Sequence, residues 1–223
     1  MKMKSLCIVL FCSILLVNCT ATSGERSSES SADSIPEKAT DITPLLIGQA
    51  IPDITLQNTN NEPAGLLEIS SQNTLFVFYR GGWCPFCSTE LAELASIEDS
   101  LYSMGFKIVA ISPDRPEFLQ QSMDDVEMQY TLLSDSKMEA SKAFGVAFRL
   151  DDETYQRYKN NGMDLEERSG QDHHLLPAPA VFLTNDEGVI EFQYVNPDYQ
   201  QRIDKDVLLA AAEAMAENQE DQM

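Results

Sequence analysis

The stretch of sequence that decides the fold is Thr74-Leu-Phe-Val-Phe-Tyr-Arg-Gly-Gly-Trp-Cys-Pro-Phe-Cys87. Its first six residues form a nearly continuous apolar and aromatic run, which is typical of a strand buried on both faces. After two glycines, apolar residues recur at helical spacing until Gly105 closes the segment. The sequence therefore predicts a buried strand followed by a helix, with Cys84 and Cys87 at the junction. Ligand chemistry in open α/β sheets lies at the carboxyl ends of strands, so this junction is the candidate site.

The segments after this stretch extend the strand–helix pattern. Further strands are predicted over 107–111, 180–184 and 189–195, and helices near 116–126, 136–144 and the C-terminus, where Leu208, Ala211, Ala212 and Met215 form one apolar stripe. The acid-rich residues 151–172 are predicted to be an irregular insertion. This order of elements predicts an α/β sandwich with a mixed central sheet flanked by helices.

The composition fits one globular domain with a tail. The chain has 223 residues, of which 43% are hydrophobic and 23% charged. Its 36 acidic residues against 15 basic ones give a formal net charge of −21, and this charge argues against nucleic-acid binding through phosphate contacts. No apolar run reaches the ~18 residues that a membrane-spanning helix needs.

The N-terminus is predicted to direct export. Two lysines precede a short apolar run over residues 6–17, which is the layout of a secretory signal peptide, here residues 1–18. The run ends in Leu-Val-Asn-Cys, which resembles a bacterial lipobox and makes Cys19 the candidate lipidation site, although Asn18 stands where a small residue is usual. A plain cleaved signal with a chance cysteine is the alternative.

The lipobox reading implies a protein of the bacterial cell envelope, anchored to a membrane by lipid and exposed to the periplasm or the exterior. Residues 19–44 are rich in Ser, Thr and acids and are predicted to be a flexible tether. Residues 45–223 then form the domain.

Cysteine usage points to redox chemistry. Removal of the signal peptide and lipidation of Cys19 leave two thiols, Cys84 and Cys87. A thiolate at a helix N-terminus meets free N–H groups and the positive end of the helix dipole, which lower its pKa, and Pro85 suits the first helical turn. A structural disulfide, two inert thiols, and half of a zinc site completed by the adjacent histidines at 173 and 174 are the alternatives.

The segment 78–91 resembles the active-site stretch of peroxiredoxin-like proteins of the alkyl hydroperoxide reductase and thiol-specific antioxidant group. The likeness continues through 110–114, 134–146, 176–182 and 196–199. It implies a thioredoxin-like sandwich and a thiol-dependent antioxidant enzyme that reduces hydroperoxides through a redox-active Cys84–Cys87 disulfide. It also implies an external reductant, either a thioredoxin-like protein or a low-molecular-weight thiol, and neither a cofactor nor a metal.

The same resemblance assigns supporting residues. Pro179 matches the proline that is cis in thioredoxin-like folds, packs against the cysteine pair and leaves the backbone of Ala178 free to pair with an extended substrate. Trp83 is either a shield for the site or a core aromatic. The family arginine is expected just beyond the hairpin glycine, where this chain has Glu191, so Arg80 is the candidate supplier of a guanidinium.

Two other functions stay open. On the peroxiredoxin pattern Cys87 attacks the peroxide, whereas on the thioredoxin and glutaredoxin pattern Cys84 is the nucleophile, which predicts exchange with protein disulfides. Copper chaperones of the same fold pair two cysteines with a downstream histidine, which His173 or His174 would supply for Cu(I).

Overall fold

A seven-stranded mixed sheet forms the centre of the protein, whose computed structural model describes residues 34–125 and 129–220. The strands are β1 (Thr55–Asn58), β2 (Pro63–Gly65), β3 (Thr74–Phe78), β4 (Lys107–Ser112), β5 (Thr131–Ser134), β6 (Ala147–Arg149), β7 (Leu175–Pro177), β8 (Ala180–Thr184) and β9 (Ile190–Val195). The sheet order is β2-β1-β5-β4-β3-β8-β9, and β6 and β7 form a separate antiparallel pair. Strands β3, β4 and β5 run parallel, and the others are antiparallel to their neighbours.

Helices cover both faces of this sheet. They are α1 (Leu66–Ile69), α2 (Pro85–Ala95), α3 (Glu98–Ser103), α4 (Pro116–Asp125), α5 (Glu139–Ala143), α6 (Asp152–Asn160), α7 (Leu165–Ser169) and α8 (Lys205–Glu220). The predicted α/β sandwich with a mixed sheet flanked by helices is confirmed. None of these helices, all within the described ranges, is long and apolar enough to cross a membrane.

Strand β3 explains why the core has two layers. All five of its residues are buried, and it is paired with β4 on one side and β8 on the other. Because successive side chains of a strand point to opposite faces, Leu75 and Val77 join the cluster under α2, α3 and α8, whereas Phe76 and Phe78 join the cluster under α1 and α5. Burial of each such side chain stabilises the fold by about 1.5–3 kcal/mol.

Residues 151–172 differ from the sequence prediction, because they contain two helices. The Asp151 carboxylate accepts a hydrogen bond from the Thr154 N–H at the start of α6, and the Asp164 carboxylate accepts two at the start of α7. Gly170 ends α7 in the left-handed conformation (φ 71°). The aspartates that suggested a solvated loop are helix N-caps.

The described chain differs from the predicted boundary between tether and domain at residue 44. The N-terminal segment, residues 35–44, packs on the domain through Ala39 and Ile42, and the Arg149 N–H donates to the Pro36 carbonyl at 2.8 Å. A β-carbon on Gly145 would lie 1.9 Å from the Thr43 carbonyl oxygen. The part of the domain that the structure describes therefore includes residues 35–44, and the predicted signal peptide, Cys19 and the tether up to residue 33 lie outside the described residues.

Candidate active site

The two cysteines lie where β3 ends and α2 begins, as the sequence predicts. Cys84 is the N-cap of α2 and Pro85 its first residue. The Cys84 carbonyl accepts hydrogen bonds from the N–H groups of Cys87 and Ser88, both at 3.0 Å. The turn before the helix requires glycine at 81, because its φ is +142° and the Trp83 indole occupies the space of a β-carbon.

Both cysteines are free thiols with almost no exposed surface, 2% for Cys84 and none for Cys87. The pKa of Cys84 is lowered, mainly because the Cys87 thiol donates a hydrogen bond to its sulfur, and the Cys87 backbone N–H adds a second donor. The pKa of Cys87 is raised by the same hydrogen bond and by burial. The pair thus stabilises one negative charge on Cys84, at the tip of the helix.

Arg202 is a site residue that sequence reasoning missed. Its Nη2 donates to the Cys87 sulfur at 3.4 Å, and its Nε donates to Glu90 Oε2 at 2.6 Å. Burial raises the pKa of Glu90 to about 7, while the Arg202 guanidinium acts in the opposite direction. One signal was present in the sequence: Glu90 lies one helical turn after Cys87 on the buried face of α2, and a buried carboxylate needs a cation.

Arg80 lies beside the pair but its side chain is directed elsewhere. It is 4% exposed, its Nη1 donates to the Tyr158 hydroxyl at 3.3 Å, and its guanidinium carbon lies 4.2 Å from the centre of the Tyr199 ring. Its backbone N–H acts to lower the pKa of Cys87, against the larger effects of the Cys84 sulfur and of burial. Electrostatic attraction from Arg80 also contributes to the lowered pKa of Cys84. The guanidinium that touches a sulfur is therefore that of Arg202.

Trp83 packs as a core aromatic beside the active-site turn. It is half-buried and packs against both the core cluster under α2 and the cluster beneath α6 and α7. Its ring meets the edge of the Tyr158 ring, with the ring centroids 5.5 Å apart, and so joins the active-site turn to α6.

Asp114 also joins the insertion to the active-site turn, because it accepts hydrogen bonds from Arg168 of α7 and from the Gly82 N–H.

The expectation of a cis bond at Pro179 is wrong, because the described residues contain no cis peptide bond. Pro179 is buried and precedes β8, but the chain before it is already paired: β7 binds β6, and the Ala178 N–H donates to the Val146 carbonyl at 2.9 Å. A trans bond continues this extended path into β8. The backbone that was expected to be open to an extended substrate is occupied within the chain.

The two histidines do not form a metal site with the cysteines. His173 accepts from the Leu175 N–H and contacts the Ser136 carbonyl at 2.9 Å, and His174 Nε2 lies 2.8 Å from the Glu166 carboxylate. No group of three or more metal-ligating side chains occurs in residues 34–125 and 129–220. The zinc and copper interpretations are not favoured.

A buried Cys-x-x-Cys pair at a helix N-terminus, on a mixed sheet covered by helices, defines a thiol oxidoreductase of the thioredoxin fold. A family model described as the AhpC/TSA family matches residues 47–193. A putative peroxiredoxin bcp of Haemophilus influenzae is 31% identical over 105 residues, 47% of this chain and 68% of that protein. The peroxiredoxin Bcp of Escherichia coli is 30% identical over 105 residues, 47% and 67% of the two chains. The chain belongs to the AhpC/TSA family.

Solved structures confirm the fold. Peroxidoxin BcpB from Mycobacterium tuberculosis has a TM-score of 0.58 at 18% identity and covers 76% of this chain and 97% of its own. AhpC from Enterococcus faecalis has a TM-score of 0.59 at 20% identity and covers 76% and 92%. Peroxiredoxins are thiol-dependent peroxidases, and these relationships support the same activity here over disulfide exchange or copper transport.

Proposed function

We propose that the chain reduces hydroperoxides by cycling Cys84 and Cys87 between dithiol and disulfide, with Cys84 as the attacking thiolate. The observation that carries this assignment is the position of Cys84 as the N-cap of α2, at the positive end of the helix dipole, and the lowered pKa of its thiol beside Cys87 agrees with it. The thiolate is the reactive form of cysteine. Cys84 also retains slight exposure whereas Cys87 has none.

The reaction balances within the pair and one external reductant. The Cys84 thiolate attacks the terminal oxygen of ROOH, the O–O bond breaks, and RO⁻ takes a proton to leave as ROH. The Cys87 sulfur then attacks the Cys84 sulfenic acid, which releases water and forms the disulfide. Two external thiols restore the dithiol and leave as their own disulfide.

Arg202 and the Arg80 backbone support the second step. Arg202 donates to the Cys87 sulfur, and the Arg80 backbone N–H acts to lower the pKa of Cys87, so both stabilise the thiolate that Cys87 forms before it attacks. The guanidinium that the family pattern expects after the hairpin is thereby supplied from the loop before α8. Small hydroperoxides are favoured over protein disulfides as substrates, because the Ala178 N–H that an extended polypeptide would need donates to Val146.

Single-cysteine variants test the assignment. Cys87→Ser, treated with an equivalent of peroxide near pH 6, should form a sulfenic acid that dimedone traps on Cys84, and Cys84→Ser should react at least tenfold more slowly. The reverse order would assign the attack to Cys87, the position that matches the peroxide-attacking cysteine of peroxiredoxins. The double variant is the control. Peroxide consumption by the wild type no faster than that by free dithiol would refute the peroxidase function.

We also propose that Cys19 is lipidated and holds the domain on a bacterial envelope membrane, facing the periplasm or the exterior. The support is the basic, apolar and lipobox-like order of residues 1–19. Labelling with an alkyne fatty acid in a bacterial host should modify the wild type and not Cys19→Ser. Equal labelling of both would refute the proposal.

A further inference from the structure

A small cavity lies beside the active-site turn, under the insertion that carries α6 and α7. Leucines of the insertion and of β7 contribute its apolar lining, and its polar lining comes from Arg80, Trp83, Asp114, Arg168, Ser169, His173 and His174. Its volume is about 10 Å³, which accommodates one particle of about the size of a water molecule.

Two buried donors in this lining lack acceptors. Arg80 Nε and Trp83 Nε1 are both inaccessible to solvent, and neither has a hydrogen-bond partner among the described residues. Buried polar groups are nearly always paired, and an unpaired donor is costly. The two N–H groups therefore call for an acceptor from outside the chain.

The lining also carries an unbalanced positive charge. Asp114 and Arg168 form an ion pair and neutralise each other. Arg80 is 4% exposed, and in the described part of the chain it forms no ion pair with a carboxylate. Its polar contact is the neutral Tyr158 hydroxyl, and the rings of Tyr199 and Phe148 lie over it.

The cysteine pair acts on Arg80 electrostatically, after Tyr158 in strength. Attraction between Arg80 and the two cysteines lowers the pKa of Cys84 and opposes the fall in the pKa of Arg80 that burial causes. The reduced pair carries one negative charge, whereas the disulfide carries none. Oxidation therefore leaves a buried cation without its counter-charge, which is an unfavourable state.

We propose that this cavity binds a small monoanion, of the size of chloride or the head of formate, when Cys84 and Cys87 are joined as a disulfide. The anion accepts hydrogen bonds from Arg80 Nε and Trp83 Nε1 and replaces the lost thiolate charge. The inference rests on the proposed redox cycle and adds a ligand to it. By linkage, a tenfold preference for the oxidised form lowers the reduction potential by about 30 mV at saturating anion.

The single tryptophan of the chain, Trp83, reports on the site directly. The full chain is oxidised with diamide, so that the disulfide does not depend on peroxide turnover, or reduced with dithiothreitol. Chloride and formate are then titrated at constant ionic strength against gluconate, a monoanion too bulky for the cavity. The tryptophan emission of the oxidised protein should saturate with at least tenfold higher affinity than that of the reduced protein. Equal affinity in the two states, or a response equal to that of gluconate, would overturn the proposal.

Variants identify the binding groups. Arg80→Met should abolish the response, and Arg157→Met, whose exposed guanidinium contacts the Thr154 hydroxyl and does not line the cavity, should retain it. Trp83→Phe removes the indole N–H and keeps an aromatic ring, so the rise in unfolding temperature that chloride gives the oxidised protein should shrink at least twofold, a measurement that stands if Arg80→Met fails to fold. An undiminished chloride effect in Trp83→Phe, or in a folded Arg80→Met, refutes the site.

Failure of this inference is distinct from failure of the proposed function. A protein that consumes peroxide but binds no anion as a disulfide refutes the anion site alone. A protein that binds the anion but does not consume peroxide refutes the peroxidase function alone. A protein that forms no disulfide with diamide refutes both.

Discussion

Replacing Arg202 by methionine should destabilise the fold by about 3 kcal/mol at pH 7. The Arg202 and Glu90 side chains are each 9% exposed and their polar atoms lie 2.6 Å apart. Removing one partner of a buried ion pair costs about 3–5 kcal/mol, because the other charge stays buried and unpaired. The lower end applies here, because the pKa of Glu90 is raised to about 7 and its carboxyl can take up a proton in the variant. A loss of 3 kcal/mol corresponds to a fall of about 6–12 °C in Tm for a chain of this length.

A double-mutant cycle with Glu90→Gln isolates the pair. Unfolding by urea should show that Arg202→Met with Glu90→Gln costs at least about 1 kcal/mol less than the sum of the two single changes, because neither charge is then left alone. Lys205→Met is the matched control: Lys205 forms an exposed ion pair with Asp206 at 3.2 Å, and its loss should cost no more than about 0.5 kcal/mol. Additive single effects, or a cost of Arg202→Met no larger than that of the control, would refute the reasoning.

Three further outcomes follow from the same structure. Burial raises the pKa of Glu90 to about 7, so this carboxyl stabilises the folded state fully below pH ~4.5 and loses that contribution as the pH rises through 7. In urea unfolding, the stability of the wild type should therefore fall about 3 kcal/mol more than that of Glu90→Gln between pH 4.5 and 8. Parallel pH curves for the two proteins would contradict the burial argument. Gly145→Ala should lower Tm by at least 5 °C in a calorimetric scan, because the new β-carbon would lie 1.9 Å from the Thr43 carbonyl oxygen and the backbone has a φ of +70°. An unchanged Tm would show that residue 43 does not pack against Gly145. Asp151→Ala should cost about 1 kcal/mol in urea, since its carboxylate accepts from the Thr154 N–H at 2.8 Å, and Asp152→Ala, outside that cap, should cost less.

Much of the fold could be predicted because its signals are local. The continuous apolar run of β3, the proline after Cys84 and the turn residues before β9 each specify their own backbone, and the structure has the strand, the helix and the hairpin at those places. The hairpin shows why: the Asn185 side chain accepts from the Val189 N–H, and Gly188 adopts a φ of +74°.

The residues that complete the site could not be predicted in the same way, because they come from distant parts of the chain. Arg202 reaches Cys87 across 115 residues, and no local pattern marks it. The resemblance predicted that Arg80 supplies the guanidinium, yet its side chain extends to the Tyr158 hydroxyl. Tyr158 lies on α6, within the segment that was predicted to be irregular. The pairing of β6 with β7, which occupies the chain before Pro179, is likewise a tertiary contact that no local pattern marks.

The N-terminal segment, residues 35–44, has a consequence for how the molecule is assembled. Its hydrogen bond from Arg149 to Pro36 joins residues more than a hundred positions apart, so this segment cannot complete its docking until about two thirds of the polypeptide has been synthesised. The match to the family model starts only at residue 47. A recombinant domain that starts at residue 47 would lack residues 35–44. The edge of β6 would then be open to pairing between molecules, and the protein would aggregate under conditions where the longer chain remains in solution.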